Sequence, residues 1–343
     1  MLKQGKQAVL RSLKRSGVFT IVDRSKWRRQ RLLILGYHGI AISDEHVWDD
    51  GHFIAQDVFR QRLQLLKTSG CAVLPLDEAI QRLYANDLPP RAVALTFDDG
   101  TTDFYHRAFP VLNEFGFPVT LYLTTFYSDY QKPIFDLMIS YLLWKGREQV
   151  LDLSGITGIR SESTLSDKPA RDEVTGEIRA FARSKGLSAD EKDSLARSIA
   201  EQFKIDYDAL LGQRKLHILS PDEVSELSGQ GVDVQLHTHR HRTPRNRELF
   251  LREIEDNRKR LHQLTGKTAE HFCYPSGDYD PVFLPWLKEA GIVSATTCET
   301  GLASRDSHPL LLPRLLDVSR LSPVEFEGWL TGISSALPTR GGL

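Results

Sequence analysis

Short apolar runs and longer stretches with helical periodicity take turns along most of this chain. RLLILGYHGI (residues 31–40) reads as a buried strand, an apolar run closed by polar residues and glycine. DVFRQRLQLLKTSG follows, with Val58, Phe59, Leu63 and Leu66 at helical spacing and Gly70 as the stop. CAVLPL, AVALTF and PVTLYLTT read as further strands, separated by LDEAIQRLYAND and FYHRAFPVLNEFG as helices. After residue 127 the alternation stops. DLMISYLLW, a face built on Val174, Ile178 and Phe181, and a helix opened by Ser188 and Glu191 give a polar, mostly helical stretch, with GITGIRSESTLSDKPA (155–170) as a loop inside it.

The alternation returns from residue 216. VDVQLHTH, HFCYPSG, IVSATT and LLLPRLLDV are strand-like. RELFLREIEDNRKRLHQLTG, with Leu251, Ile254, Leu261 and Leu264 inward, and PVFLPWLKEAG are helix-like. This pattern predicts an α/β fold with a parallel sheet, a distorted (β/α) barrel of seven or eight units carrying a mostly helical insertion. The expected division is a basic N-terminal helix over 1–30, barrel over 31–127, insertion over 128–215, barrel over 216–325 and a tail over 326–343.

Composition changes this picture little. The 343 residues are 41% hydrophobic and 26% charged, with a net charge of −1, which gives no general reason to expect nucleic acid as a partner. Cys71, Cys273 and Cys298 are odd in number and form no CxxC pair, which suits a reducing compartment. No apolar run is long enough to span a membrane, and charges interrupt the N-terminal apolar stretch, so a cytoplasmic location is expected. Residues 1–31 depart from the average, with ten Lys or Arg against the single acid Asp23. Such a segment suits peripheral contact with an anionic membrane surface, at the inner face if the chain is cytoplasmic, or else a solvated leader helix docked on the domain.

The barrel prediction sorts the chemistry, because barrel sites form at the carboxyl ends of the strands. His38 ends one strand, Asp98-Asp99-Gly100 ends another, His237-Thr238-His239-Arg240-His241 a third, and the turn at Ser276 a fourth. Three histidines within five residues, beside an acidic pair, point to a metal site with histidine and carboxylate ligands and a water in an open position. One aspartate can bind metal while its neighbour takes a proton from the water. The residues alone leave open which histidines take part.

The motifs resemble the polysaccharide deacetylases with a NodB-homology domain (carbohydrate esterase family four). Thr96-Phe97-Asp98-Asp99-Gly100 matches their TFDDG motif, and His237-Thr238-His239-Arg240-His241 matches H-[ST]-x-x-H. CYPSG (273–277) is a diverged form of R-x-P-[YF]-G. The likeness covers roughly 31–127 and 216–320. It implies a metal-dependent hydrolase that removes an N-acyl, usually N-acetyl, group from an amino-sugar glycan or precursor, with a water on the metal as nucleophile. By position Asp98 is the general base, and Asp99, His237 and His241 are the metal ligands. Thr238 supports the histidine loop, the Ser276 N–H is the oxyanion donor, and His239 is left over.

Zinc is the expected metal, with cobalt, nickel and iron compatible with the same ligands. The sequence departs from the family pattern where Cys273 replaces the arginine that orients the base, and Arg314 of LPR is the candidate replacement. No late L-x-H motif is found, so His38 is the candidate general acid. A cytoplasmic enzyme suits a nucleotide-linked or lipid-linked substrate. The alternatives are a deformylase or other C–N hydrolase on the same scaffold, a glycan-binding protein with a decayed site, and a scaffold role for the insertion.

Overall fold

The computed structural model describes residues 2–154 and 162–337. Seven strands close into a barrel in chain order: β1 (Arg31–Tyr37), β2 (Ala92–Phe97), β3 (Thr120–Leu123), β4 (Asp233–Leu236), β5 (His271–Cys273), β6 (Ser294–Thr300) and β7 (Leu312–Leu316). Every neighbouring pair is parallel, and β1 closes the ring by pairing with both β2 and β7. The barrel with surrounding helices agrees with the fold expected from the sequence. CAVLPL contributes only the two-residue strand Ala72–Val73, which pairs with the first residues of β2 while β3 pairs with the last.

All residues of β2 are buried, and β1 is buried after Arg31, as a parallel strand covered on both faces requires. Tyr37, Phe59, Phe97 and Phe104 pack ring on ring beneath the carboxyl ends of β1 and β2. The helix expected over 104–116 opens with a wider π turn, Phe104–Ala108, before the α-helix Phe109–Phe115. Pro110 explains the difference, because it cannot donate to the carbonyl four residues back.

Three further differences have local causes. The N-terminal segment is not one helix but three, Leu2–Arg15, Val18–Arg24 and Lys26–Arg29. Gly17, at φ 80°, breaks the first from the second, and Ser25, extended and accepting the Arg28 N–H, starts the third. In the long helix Arg247–Thr265 the inward positions are Phe250, Glu253, Ile254, Asn257 and Leu261, whereas Leu251 and Leu264 are half-buried. Finally, Pro323–Thr331 is a helix with a Ser322–Glu325 capping box, where a tail was expected from 326. Phe326, Trp329 and Leu330 supply its buried face at i, i+3 and i+4.

The contacts divide the chain into two compact units, one of residues 1–126 and 221–343, the other of residues 127–220. The second unit contains helices Phe135–Lys145, Lys168–Ser184, Ala189–Gln202 and Tyr207–Gly212. Pro133 bridges His217, and the Ser128 hydroxyl donates to the Leu219 carbonyl at 2.6 Å, tying the two ends of this unit together. The stretch read as a loop, 155–170, contributes the strand Glu162–Thr164, paired with Val150–Asp152, and the start of the helix capped by Asp167. Its residues 155–161 lie outside the described residues, as do residues 338–343 of the expected tail.

Candidate active site and metal-binding cluster

The carboxyl ends of β1, β2, β4 and β5 bring His38, the aspartate pair, the histidine loop and Cys273 together. Gly100 allows the turn below the aspartates. Its φ is 82°, and a Cβ there would lie 2.2 Å from Leu123 Cδ1. Asp99 itself has φ 67°, Thr238 60°, His241 52° and Ser276 57°. Four side-chain-bearing residues thus adopt the left-handed conformation within the motifs, and such strain concentrates where surrounding contacts hold a functional geometry.

Asp99 faces two imidazoles. Its Oδ1 lies 3.1 Å from His237 Nε2 and 3.1 Å from His241 Nε2. The donor atoms of Asp99, His237 and His241 all lie within 4.8 Å of one another, making a cluster able to hold a metal ion. His237 Nδ1 is 2.9 Å from the Cys273 carbonyl, which only accepts, so Nδ1 carries the proton. In the neutral ring with the proton on Nδ1, the Nε2 lone pair faces a carboxylate, an arrangement that a cation between them relieves. The carbonyl behind this imidazole fixes its tautomer, a support that metal-bound histidines generally have. Burial alone would raise the Asp99 carboxyl, but the His241 and His237 imidazoles outweigh it and hold it well below the usual range. Burial would lower His241, and Asp99 instead raises it.

Asp98 faces a guanidinium. Arg314, fully buried on β7, donates from both Nη atoms to the two Asp98 oxygens at 2.8 Å each. Its Nε donates to the Thr297 carbonyl at 2.9 Å and Nη1 to Thr96 Oγ1 at 3.2 Å, so the fork is held from behind. Cys273, at the position of the family arginine, lies with Sγ 3.2 Å from Arg314 Nη2. Burial raises the Cys273 thiol, keeping it neutral beside this pair. Burial also pushes the Asp98 carboxyl up, yet Arg314 outweighs it and leaves the group below its ordinary value. His38 Nε2 stands 3.8 Å from Asp98 Oδ2, and burial lowers its pKa.

Ser276 is the exposed tip of the Pro275–Gly277 turn that follows β5. Gly277 is packed so tightly that a Cβ would lie 2.8 Å from Cys298 Sγ. His239 turns away from the cluster. Its Nδ1 is 2.9 Å from Thr125 Oγ1, and its carbonyl accepts from the Phe126 N–H at 2.8 Å.

Two of the residues that anchor the loop, Asn257 and Glu253, were not expected from the sequence. Asn257 Oδ1 accepts the His237 N–H at 3.0 Å, while Nδ2 donates to the Leu123 carbonyl and to Thr125 Oγ1. The Glu253 carbonyl accepts the His239 N–H, and its carboxylate accepts from the Arg240 N–H at 2.8 Å and Arg242 Nε at 2.7 Å. Thr238 Oγ1 accepts the Arg242 N–H at 3.0 Å. The available signal was two polar residues, i and i+4, on the apolar stripe of the long helix. Asn257→Leu is expected to weaken metal binding by roughly 10–100-fold, the usual cost of losing an outer support. Competition against a chelating dye measures it.

A profile of the polysaccharide deacetylase family matches residues 85–142 and 194–295. Over these residues the chain is similar to the polysaccharide deacetylase family. The matched residues include the aspartate pair, the histidine loop and the Cys273 turn. Among curated relatives, the YxkH protein of Bacillus subtilis (strain 168) is 30% identical over 106 residues, 29% of this chain and 36% of that protein. The poly-beta-1,6-N-acetyl-D-glucosamine N-deacetylase of Staphylococcus epidermidis is 33% identical over 72 residues, 21% of this chain and 25% of that protein. The matches thus span well under half the length of these relatives. The Streptococcus pyogenes deacetylase PplD, solved in complex with acetate, shares the fold with a TM-score of 0.57 at 20% identity, covering 90% of this chain and 99% of that one.

Proposed function

We propose that this chain is a metal-dependent hydrolase that removes an N-acyl group, acetyl foremost, from an amino sugar in a glycan or glycan precursor. The observation that carries the reading is the division of labour between two adjacent carboxylates. Asp99 faces two imidazoles and Asp98 faces a guanidinium. In this reading Asp99, His237 and His241 hold the cation, with zinc the expected ion and cobalt, nickel or iron acceptable to the same ligands. When bound, the cation supplies Lewis acidity to the acyl carbonyl and to water.

The chain's own groups do the rest. Asp98, kept ionised and oriented by Arg314, takes a proton from the attacking water. The Ser276 N–H donates to the oxygen that gains charge as the carbonyl becomes tetrahedral. His38, beside Asp98, delivers a proton to the departing amine as the C–N bond breaks. The products are a carboxylate and a free amino sugar. The name of the Staphylococcus epidermidis relative supports an N-acetyl amino sugar as the substrate class. The absence of an arginine at 273 is the one feature favouring a decayed glycan binder, and the guanidinium on Asp98 argues against it.

The test is a panel of nucleotide-linked, lipid-linked and oligomeric N-acyl amino sugars, read for acetate and for formate. Acetate release with free amine supports the reading, whereas formate alone makes the chain a deformylase. The ligand assignment has its own check in metal stoichiometry. His237→Ala and His241→Ala are each expected to lose most of the bound metal, and His239→Ala to keep it. Retained metal in His241→Ala together with loss in His239→Ala reverses the assignment.

A further inference from the structure

We infer that the amino-end face of the barrel, built by the three N-terminal helices, docks on an anionic lipid surface and holds the active mouth away from it. The charge distribution comes first. Residues 1–31 carry ten basic side chains and one acid, a net +9, so the remaining 312 residues carry −10. The one acid, Asp23, is engaged by Arg91, with Nε donating at 2.7 Å. Arg11, Arg15, Arg24, Lys26 and Arg29 are exposed and make no ion pair among the described residues. Among them stand exposed apolar side chains, Val9 at 48%, Ile21 at 69% and Trp27 at 39%. On Val18–Arg24, Ile21 and Arg24 are neighbours at i and i+3.

These helices present a fixed surface rather than a loose leader. Leu10, Phe19 and Ile333 form a buried cluster, with Leu13, Val18, Val22, Val324 and Leu337 packed against it. Lys14 pairs with Glu327, and Gln7 Nε2 donates to Glu325 Oε2 at 3.3 Å. The outward faces are therefore what remains after the domain has taken its share of the apolar residues.

The choice of a lipid surface rests on the mixture. A polyanion such as nucleic acid rewards the charges but gives Ile21, Val9 and Trp27 nothing to enter. The interfacial zone of a bilayer takes both, basic side chains at the headgroups and apolar or tryptophan side chains just below. No helix among the described residues is long and apolar enough to cross a membrane, so the contact is peripheral.

The fold then fixes the orientation. Arg28 Nη1 donates to the carbonyl of Arg31, the first residue of β1, and Arg91, which holds Asp23, immediately precedes β2. The helices thus sit at the amino ends of the strands. The aspartates and histidines sit at the carboxyl ends, a strand length of about 20 Å away. A docked molecule opens its site away from the bilayer. The glycan units it reaches lie beyond the headgroup layer.

The experiment is co-sedimentation of the full chain with phosphatidylcholine vesicles containing or lacking a quarter phosphatidylglycerol. Binding is expected only to the anionic vesicles and to weaken as salt rises. Each basic residue near such a surface is worth roughly fivefold in affinity, so Arg15→Glu/Arg24→Glu/Arg29→Glu should bind at least ~100-fold more weakly. Ile21→Asp should also weaken it, and both variants should keep the wild-type thermal midpoint and metal content. Equal binding to neutral vesicles, undiminished binding by the triple variant, or binding to free duplex DNA without binding to vesicles overturns the inference.

Discussion

Asp98→Asn is expected to keep the metal content of the wild type and to lose turnover by about 10²–10⁴-fold, the range for removing a positioned base. Asn preserves the shape and one acceptor for the Arg314 fork. The buried guanidinium loses its counter-charge and some stability goes with it, while the Asp99, His237 and His241 side chains keep their own partners. What the site loses is the capacity to take a proton. Metal analysis beside acyl-release kinetics reads the two effects separately. The neighbouring change, Asp99→Asn, should give the opposite pattern, with metal lost and activity lost because of it. If Asp98→Asn empties the site and Asp99→Asn leaves it loaded, the two carboxylates have been assigned the wrong way round.

The second large effect is structural. Arg314→Met removes the guanidinium that donates to both Asp98 oxygens. A buried carboxylate left without its partner costs about 3–5 kcal/mol. The expected result is a loss of stability of that order in denaturant titrations at neutral pH, together with loss of activity. Asp98→Asn/Arg314→Met should recover part of the stability but none of the activity, because it removes the orphaned charge without restoring a base. A double-mutant cycle checks this. Additive losses would mean that the fork observed between the two side chains is not energetically coupled.

These two residues also mark how far the sequence could be read. The barrel was legible because its strands are short apolar runs separated by amphipathic helices, and a parallel strand buried on both faces has few other ways to look. Once the barrel is drawn, motifs at strand ends must converge, so the approach of His38, Asp98, Asp99, His237 and His241 follows from topology as much as from the motifs. Arg314 was a candidate because Cys273 stands where the family pattern has an arginine, and LPR offers a guanidinium from another strand. Only the three-dimensional arrangement shows its guanidinium filling the place beside Asp98 while Cys273 contributes a small neutral sulfur.

Other features were hidden by physical ambiguities. The anchoring role of Glu253 and Asn257 depends on a helix rotation of one residue, and Leu251 and Leu264 drew the apolar face to the wrong side. The break at Gly17 is invisible to periodicity, because both flanking segments are apolar on one side. In the last helix, Phe326, Trp329 and Leu330 were present to be read, but the run is short and close to the end. The residues alone left His239 equivalent to its neighbours; the motif set it aside, and its ring is bonded to Thr125, outside the Asp99 cluster.

The central claim is that Asp99, His237 and His241 hold a cation at which Asp98 drives hydrolysis of an N-acyl amino sugar. Its most direct test is acetate release from an N-acetylated amino-sugar oligomer by one preparation assayed as isolated, after chelation and after restoring one equivalent of divalent metal. The account predicts acetate matched by free amine, lost on chelation and regained on reloading. Full metal occupancy with no acyl group released from any sugar in the panel, or release that persists undiminished in the stripped protein, would contradict it.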